Sequence, residues 1–229
     1  GTKAYHIASK FLREKYIVFS SILNWRRLPL TPNTYGISNE LHAEMQIMLF
    51  RYIFPDVRKI GMLYSGKYTE DLFKTAGNRG RPMGVDIVGQ RISQGPVSAF
   101  NKLPTDLDAF WLISDPEMMA DKKGLARILK LCDAKKIPVF SYHEAFVSLG
   151  AVLILSVDNP TIGRQSAKMA MKLFSGRKSD KSVQSPAGSH IILNLKKVRA
   201  YGLKYREDSL DSVNRSEERR VGKECATGC

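Results

Sequence analysis

The hydrophobic positions of the chain fall into two kinds of segment, which alternate along most of its length. Short continuous apolar runs, such as residues 108–114, 138–142 and 151–157, are typical of strands buried on both faces of a parallel sheet. Between such runs, apolar residues recur at helical spacing, as at Leu125 and Leu129. The alternation predicts an α/β fold with helices covering parallel sheets.

The same pattern gives approximate bounds for each element. Strands are predicted at residues 17–20, 59–65, 84–88, 108–114, 138–142, 151–157 and 191–194. Helices are predicted at residues 3–15, 38–54, 68–76, 96–103, 125–136, 160–176 and 195–201. Turn-forming Pro29, Pro32 and Gly36 predict a loop over residues 21–38, and a polar composition predicts a linker over residues 178–189.

The predicted central strands end in small polar residues. Ser114 and Asp115 follow one strand, Ser141 and Tyr142 end the next, and Asp158 follows the third. Ligands of open α/β sheets bind outside the carboxyl ends of the strands. This polar rim therefore indicates a binding site.

Charge and length are compatible with several classes of protein. A chain of 229 residues can form one large or two small domains. Its formal charge of +14 would suit a nucleic acid or an anionic membrane surface. However, the 36 Lys and Arg are spread along the whole chain, so a solvated basic surface is favoured and no nucleic-acid partner is expected. No apolar run reaches the roughly 18 residues that a membrane span requires.

The sequence contains no set of residues that indicates catalysis. Residues 61–68 approach a phosphate-binding loop, but Tyr68 stands where Ser or Thr should hold magnesium. Cys132 falls on an apolar helix face, where a buried and inert thiol is expected. We therefore predict no enzyme activity, no cofactor and no metal site, and favour binding without chemistry.

Asp115 has two interpretations that the sequence leaves open. Asp115, Pro116 and Glu117 together form a good helix start, with an N-cap, a first-position proline and a first-turn acid. At the end of a strand, the same carboxylate is also placed to pair with a cationic group of a ligand.

The two ends of the chain differ from the rest. Residues 215–225 resemble the translation of a common sequencing adapter, so residues 215–229 are expected to be an artefact that packs against nothing, with a charged tail as the alternative. Gly1 leads directly into a predicted helix without an initiator Met or a signal peptide. We therefore expect an N-terminally truncated fragment.

Four segments together resemble a known family. Residues 138–158 with 162–165 are the strongest, and residues 58–64, 108–115 and 192–195 add to them. In order and spacing they are similar to the substrate-binding proteins of bacterial ABC importers, in the branch with tryptophan- and tyrosine-binding members. The resemblance extends with gaps from Gly1 to about Leu203.

The resemblance implies a fold of two α/β lobes around a ligand cleft, as in periplasmic binding proteins, with the first lobe incomplete. It assigns residues 1–56 to the first lobe, 57–156 to the second, 157–182 to a helix returning to the first, and 183–214 to a linker with a last strand and helix. It also implies that the lobes close on the ligand about a hinge.

The implied function is an extracytoplasmic solute-binding protein, periplasmic or lipid-anchored. Its partners would be a small molecule of amino-acid-like or aromatic type and an ABC permease in the membrane. The ligand-binding candidates are Ser20, Asn24, Ser38 and Asn39 in the first lobe, Tyr64, Ser65, Asp115 and Tyr142 in the second, and Asp158 at the crossing.

One departure and two rival functions accompany this interpretation. Residues 64–67 read Tyr-Ser-Gly-Lys, where better-known members carry an Asn-Ser pair suited to a ligand carboxylate. Lys67 either offers a cation to an anionic ligand in their place or faces solvent. The rivals are the effector-sensing domain of a transcription regulator and an open α/β transferase.

Overall fold

The computed structural model describes residues 1–12, 14–177 and 181–216. The helices are α1 Thr2–Phe11, α2 Ala43–Ile53, α3 Glu70–Gly80, α4 Pro96–Phe100, α5 Pro116–Ala120, α6 Lys122–Ala134, α7 Asn159–Phe174 and α8 Leu195–Tyr201. The strands are β1 Ile17–Ile22, β2 Thr34–Ser38, β3 Lys59–Tyr64, β4 Asp86–Arg91, β5 Ala109–Trp111, β6 Val139–Ser141, β7 Leu153–Val157, β8 Val183–Gln184, β9 Ser189–Leu193 and β10 Arg215–Ser216. The α/β fold class is confirmed, and each predicted strand and helix has a counterpart within several residues.

The described chain divides into two compact units. Unit 1 comprises residues 1–42 and 157–189, and unit 2 comprises residues 43–156 and those from His190 onward. The chain therefore passes between the units after His42, after Ser156 and after Ser189.

Unit 1 contains a parallel sheet in the order β1-β2-β8. Tyr5 of α1 packs against Phe19 of β1, with ring centroids 6.1 Å apart. Ile162 and Leu173 of α7 pack with Ile37 of β2 in a second apolar cluster. Both helices thus bury one apolar stripe, as amphipathic helices of an α/β unit do.

Two segments predicted as irregular are strands of this sheet. The predicted loop over residues 21–38 is wrong at both ends: Ser21 and Ile22 belong to β1, and from Thr34 onward β2 pairs in parallel with β1. Tyr35 and Ile37 are buried there, and Gly36 leaves room for the Phe19 ring, which an added Cβ would approach to 2.5 Å. Within the predicted linker, β8 adds two residues to β2.

Unit 2 contains a larger sheet in the order β10-β9-β7-β6-β5-β3-β4. The strands from β3 to β7 pair in parallel, in the spatial order 2-1-3-4-5 when counted from β3. The next strand, β9, runs against β7, because Asn194 N donates to Val152 O while Ser156 Oγ donates to His190 O.

Helices cover both faces of the unit 2 sheet. Successive residues of a strand point to opposite faces. Accordingly, Phe110 of β5 contacts Phe100 of α4, whereas Trp111 contacts Phe50 of α2, with centroids 5.3 and 5.1 Å apart. Phe50 also contacts Phe140 of β6 at 4.8 Å.

This packing places α2 in unit 2 and corrects its predicted start. The sequence set the boundary between the lobes after residue 56, but α2 is anchored by Phe50 to the second sheet, so the structure divides the chain after His42. The helix begins at Ala43 and not at Ser38, because Ser38 still belongs to β2.

The first two residues of the predicted artefact make contacts. Arg215 and Ser216 form β10 and pair with Ile192 and Leu193 of β9, and Arg215 lies 3.6 Å from a Glu144 carboxylate oxygen. The expectation that residues 215–229 pack against nothing is therefore wrong for these two. Residues 217–229 lie outside the described part of the chain.

A pair of glycine substitutions tests the packing of β3. Gly61 is buried in this strand, and an added Cβ would lie 2.5 Å from Leu107 Cδ1 and 3.3 Å from Leu103 Cδ1. We expect Gly61→Ala to lower the free energy of unfolding by about 1–3 kcal/mol through overpacking.

Gly77→Ala is the matched control. Nothing lies within 4 Å of an added Cβ at Gly77, which is in α3, so alanine should stabilise the helix by about 0.5–1 kcal/mol. Urea unfolding of both variants provides the measurement. A Gly61→Ala protein as stable as the parent would contradict the packing described for β3.

Candidate ligand site at the carboxyl edge of the unit 2 sheet

The strand order of unit 2 marks one place at its edge. The chain turns from β3 to β4 in one direction and then places β5 on the opposite side of β3. Open α/β sheets bind ligands where the strand order reverses in this way, outside the carboxyl ends of the strands. In this unit the reversal lies between β3 and β5, so the loops that follow these two strands form the candidate site.

A buried carboxylate joins the two loops. Asp115 Oδ2 accepts hydrogen bonds from Ser65 N at 3.0 Å, Ser65 Oγ at 2.6 Å and Thr69 Oγ1 at 2.5 Å. Its other oxygen, Oδ1, accepts from Glu117 N at 2.8 Å and Met118 N at 3.1 Å, which caps α5. One side chain therefore fixes the loop after β3 and starts the helix after β5.

This geometry confirms the first interpretation of Asp115, the helix cap. Asp115 and Ser65 are both fully buried, and both carboxylate oxygens already accept hydrogen bonds from the protein. The helix cap is present, and five donors of the protein bond the carboxylate. Asp115 and Ser65 hold the shape of the loop through their mutual hydrogen bonds, and their ligand contacts stay predictions.

Aromatic packing fixes the start of the loop after β3. Tyr64, half-buried at the end of β3, stacks on Phe73 of α3 with centroids 4.4 Å apart and planes inclined by 5°. The Phe73 ring lies over Gly89 of β4, where a side chain would collide with it. Tyr64 thus lies at the predicted edge, with one ring face already covered.

The end of β6 presents two polar side chains. Ser141 is buried, and within the described part of the chain its hydroxyl has no hydrogen-bond partner. Tyr142 is half-buried and donates its hydroxyl to Met119 Sδ at 3.3 Å. Burial raises the pKa of Tyr142, and a hydrogen bond with Ser114 partly opposes that rise. Sequence reasoning placed both residues on the polar rim but selected only Tyr142 as a ligand contact, because an unused hydroxyl is visible only in three dimensions.

The predicted residues of unit 1 lie at the carboxyl ends of β1 and β2. Ser20 is half-buried in β1, and Asn24 adopts a left-handed backbone with φ 54°. The backbone N–H of Asn24 donates to the Glu40 carboxylate, and this hydrogen bond links the loops after the two strands. The Ser38 hydroxyl accepts from Glu40 N at 3.1 Å.

Two polar atoms in these unit 1 loops lack partners. In the described residues, Asn39 Oδ1 and Trp25 Nε1 are buried without a hydrogen bond. Asn39 was among the predicted residues and Trp25 was not, since a tryptophan in a loop carries no sequence signal of its own. Arg26 lies over the Trp25 ring, with the guanidinium carbon 4.8 Å from its centroid.

Asp158 has a structural role in unit 1. Its carboxylate accepts from Thr161 N at 3.1 Å and from the Thr161 hydroxyl, which caps α7. Arg164 lies 3.8 Å away on the same helix. Asp158 follows the passage from Ser156 to Val157 between units, where the resemblance placed it, and its proposed ligand contact stays a prediction.

The residues that the structure describes contain neither a side-chain cluster suited to a metal ion nor a helix suited to cross a membrane. No group of three or more His, Cys, Asp or Glu side chains is arranged to hold a metal ion there. Nor does any helix in that part of the chain combine the length and apolarity needed to cross a bilayer.

Comparison with protein families identifies the chain. The model of the ABC transporter substrate binding protein family matches residues 5–216. Because this match covers most of the chain, the protein belongs to that family, which confirms the resemblance found in the sequence.

A relative is similar to most of the chain. A tyrosine-binding protein of Clostridioides difficile is 20% identical over 197 residues, which cover 83% of this chain and 56% of that protein. The chain thus spans just over half the length of this relative.

Two solved structures share the fold. A substrate binding protein with adhesive properties from Clostridium difficile, in a ligand-free, open form, has a TM-score of 0.67 at 18% identity, covering 90% of this chain and 73% of that one. A domain from Streptococcus pneumonia in complex with L-Trp has a TM-score of 0.62 at 20% identity, covering 80% and 65%. At such identities the likeness concerns the fold alone.

Proposed function

We propose that the protein captures a small molecule outside the cytoplasm and delivers it to an ABC permease in the membrane. The observation that carries this proposal is the family match over residues 5–216. The loops where the strand order of unit 2 reverses support it, because they form a polar edge of the kind at which open α/β sheets bind ligands.

The ligand we propose is amino-acid-like or aromatic. A relative is described as tyrosine-binding, and a neighbouring structure holds L-Trp. Ser141 and Tyr142 at the end of β6 suit such a ligand, since they combine an unused hydroxyl with an aromatic ring. Capture by closure of two lobes stays a prediction from the resemblance.

The location follows from the same proposal. Substrate-binding proteins of ABC importers work outside the cytoplasmic membrane, either free in the periplasm or held by a lipid anchor. The partner is the permease that receives the ligand.

The two rival functions are not favoured. An effector-sensing domain and an open α/β transferase share the architecture of alternating strands and helices, but the matching family consists of substrate-binding proteins. The prediction that the chain is not an enzyme agrees with that family.

Calorimetric titration of the folded protein tests the ligand class. The panel is L-tryptophan, L-tyrosine, L-leucine and D-ribose, and we expect saturable binding of an aromatic amino acid with no heat from ribose. Absence of binding by both aromatic amino acids would refute the proposed ligand class.

A tyrosine pair tests the location of the site. Tyr142→Phe removes a hydroxyl at the carboxyl edge, and we expect affinity for the bound amino acid to fall about 3–10-fold, as for one lost hydrogen bond. Tyr201→Phe is the control. The Tyr201 hydroxyl donates a hydrogen bond to Asp133 in the last turn of α6. Because α6 returns the chain to the opposite edge of the sheet, this hydroxyl lies away from the candidate site. Equal affinities in the two variants would argue against a site at the end of β6.

A further inference from the structure

Arg91, the last residue of β4, packs against the loop after β3. It ends β4 and is the register partner of Tyr64, so the two side chains leave the same face of the sheet. Its guanidinium lies against Gly66, where an added Cβ would meet Nη2, Cζ and Nε, the last two at 2.6 Å. Three atoms of the planar group are thus close to one backbone position. Because Gly66 has no side chain, the guanidinium can lie at this position.

The charge of Arg91 is not neutralised by a close ion pair. Arg91 is exposed. In the described part of the chain, no carboxylate oxygen lies within 4.0 Å of its guanidinium nitrogens, the limit for an ion pair. Glu70, in the first turn of α3, pairs with Lys74 at 2.9 Å instead. The pKa of Glu70 is lowered chiefly by Lys74, and only in smaller part by Arg91.

The hydroxyl donors of Ser65 and Thr69 in the same loop are already in use. Ser65 donates both its backbone N–H and its hydroxyl to Asp115, and Thr69 donates its hydroxyl to the same oxygen. Lys67 adds a second positive charge, with Nζ 5.2 Å from the centroid of the Tyr68 ring. An anion that approaches this loop therefore meets cations rather than neutral hydroxyls.

We propose that Arg91, positioned by Gly66 and assisted by the charge of Lys67, binds the carboxylate of the ligand. A guanidinium presents two parallel N–H donors that match the two oxygens of a carboxylate. The inference deepens the proposed function and rests on it: the ligand carries a free carboxylate, and analogues that lack it are rejected. It also explains how a loop whose serine is committed to Asp115 can still recognise an anion.

The test compares L-tryptophan with L-tryptophanamide, which differ in the carboxylate alone, by calorimetric titration. We expect the parent protein to prefer the acid and Arg91→Gln to lose about 10–100-fold in affinity for it, as for a charged hydrogen bond. The amide should bind the parent and this variant equally. Arg127→Gln, which removes one exposed arginine from α6, is the matched charge control and should keep the preference.

Gly66→Ala separates position from charge. The added methyl group displaces the guanidinium while every charge is retained, and the displaced atoms belong to the end of a flexible side chain, so the fold should hold. We expect a several-fold loss of affinity for L-tryptophan and none for the amide. If Arg91→Gln and Gly66→Ala both keep the preference of the parent for the acid, the inference is wrong while the proposed function stands.

A probe that does not depend on amino-acid binding distinguishes failure of the carboxylate site from failure of the proposed ligand class. Benzoate and benzamide have similar size and differ in charge, and the Arg91 Nε–H signal in ¹⁵N NMR is assigned by its loss in Arg91→Gln. We expect benzoate, and not benzamide, to shift this signal saturably. A shift with benzoate but no binding of aromatic amino acids would refute the proposed ligand class and keep the carboxylate site. No shift with benzoate would overturn the site.

Discussion

Asp115→Asn will lower the free energy of unfolding by about 2–4 kcal/mol, although asparagine caps helices about as well as aspartate. The aspartate oxygens accept five hydrogen bonds from donors on both loops of the candidate site. An asparagine has one oxygen and one NH₂ group, and the NH₂ group cannot accept a hydrogen bond. Either orientation of the amide therefore leaves a donor group facing other donors in a fully buried position.

The two orientations of the asparagine amide fail for different reasons. With its oxygen toward Glu117 N and Met118 N, the amide keeps the cap of α5 but turns its NH₂ group to Ser65 N, a backbone donor that cannot reverse its role. With its oxygen toward Ser65 and Thr69, the amide loses the cap. A buried donor without a partner costs about 1–3 kcal/mol, which is why the expected loss exceeds that of an ordinary cap exchange.

Asp121→Asn is the matched control. Asp121 caps α6 through one hydrogen bond to its carboxylate, from Gly124 N at 2.8 Å, and is only half-buried. Asparagine can accept that bond, so the expected change in the free energy of unfolding is below about 0.5 kcal/mol.

The measurement is urea unfolding followed by tryptophan fluorescence. The chain has two tryptophans, one in each unit, so a Trp25→Phe background leaves buried Trp111 to report on unit 2. Equal stability of Asp115→Asn and Asp121→Asn would mean that the network around Asp115 contributes only its cap.

The sequence sufficed for the architecture because the strands of unit 2 are buried on both faces. Continuous apolar runs such as the one that became β7 are visible without alignment, and helical spacing marks α6 between β5 and β6. These segments form one doubly covered sheet, so local pattern and tertiary burial agree.

The strands that the sequence missed are those whose local signal is weak. β2 contains Thr34 and Gly36 and follows two prolines, and its strand character comes from packing of Tyr35 and Ile37 under α7. β8 has two residues and exists through its pairing with β2. In both cases tertiary contacts outweigh local propensity.

Candidate residues were easier to find than their roles. The rule that strand ends carry function selected Ser65 and Asp115, but whether a carboxylate meets a ligand or a neighbouring loop depends on a contact across 50 residues of sequence. The contact of Arg91 with Gly66 could not be predicted from the sequence either, because neither residue indicates that the other lies beside it. Whether a residue is suited to contact a ligand or to position its neighbours depends more on its partners in space than on its residue type.

Leu112→Ala will lower the free energy of unfolding of unit 2 by about 3–5 kcal/mol, the upper part of the range for buried leucines. Leu112 follows β5 directly, is fully buried, and donates its N–H to Phe140 O at 2.8 Å. Its side chain belongs to the core cluster shared by α4, α6 and the sheet. Removal of three carbons leaves a cavity that the surrounding strands cannot close, because each is held by neighbours on both sides.

Leu149→Ala is the control for Leu112→Ala within the same unit. Its side chain is 55% exposed, so the same chemical change should cost less than about 1 kcal/mol. The comparison again uses Trp111 fluorescence in urea. Because Leu112 precedes the segment that carries Asp115, we also expect weaker binding of the aromatic amino acid by Leu112→Ala at temperatures where unit 2 remains folded. Equal stability losses in the two leucine variants would contradict the assignment of β5 to the centre of the unit 2 core.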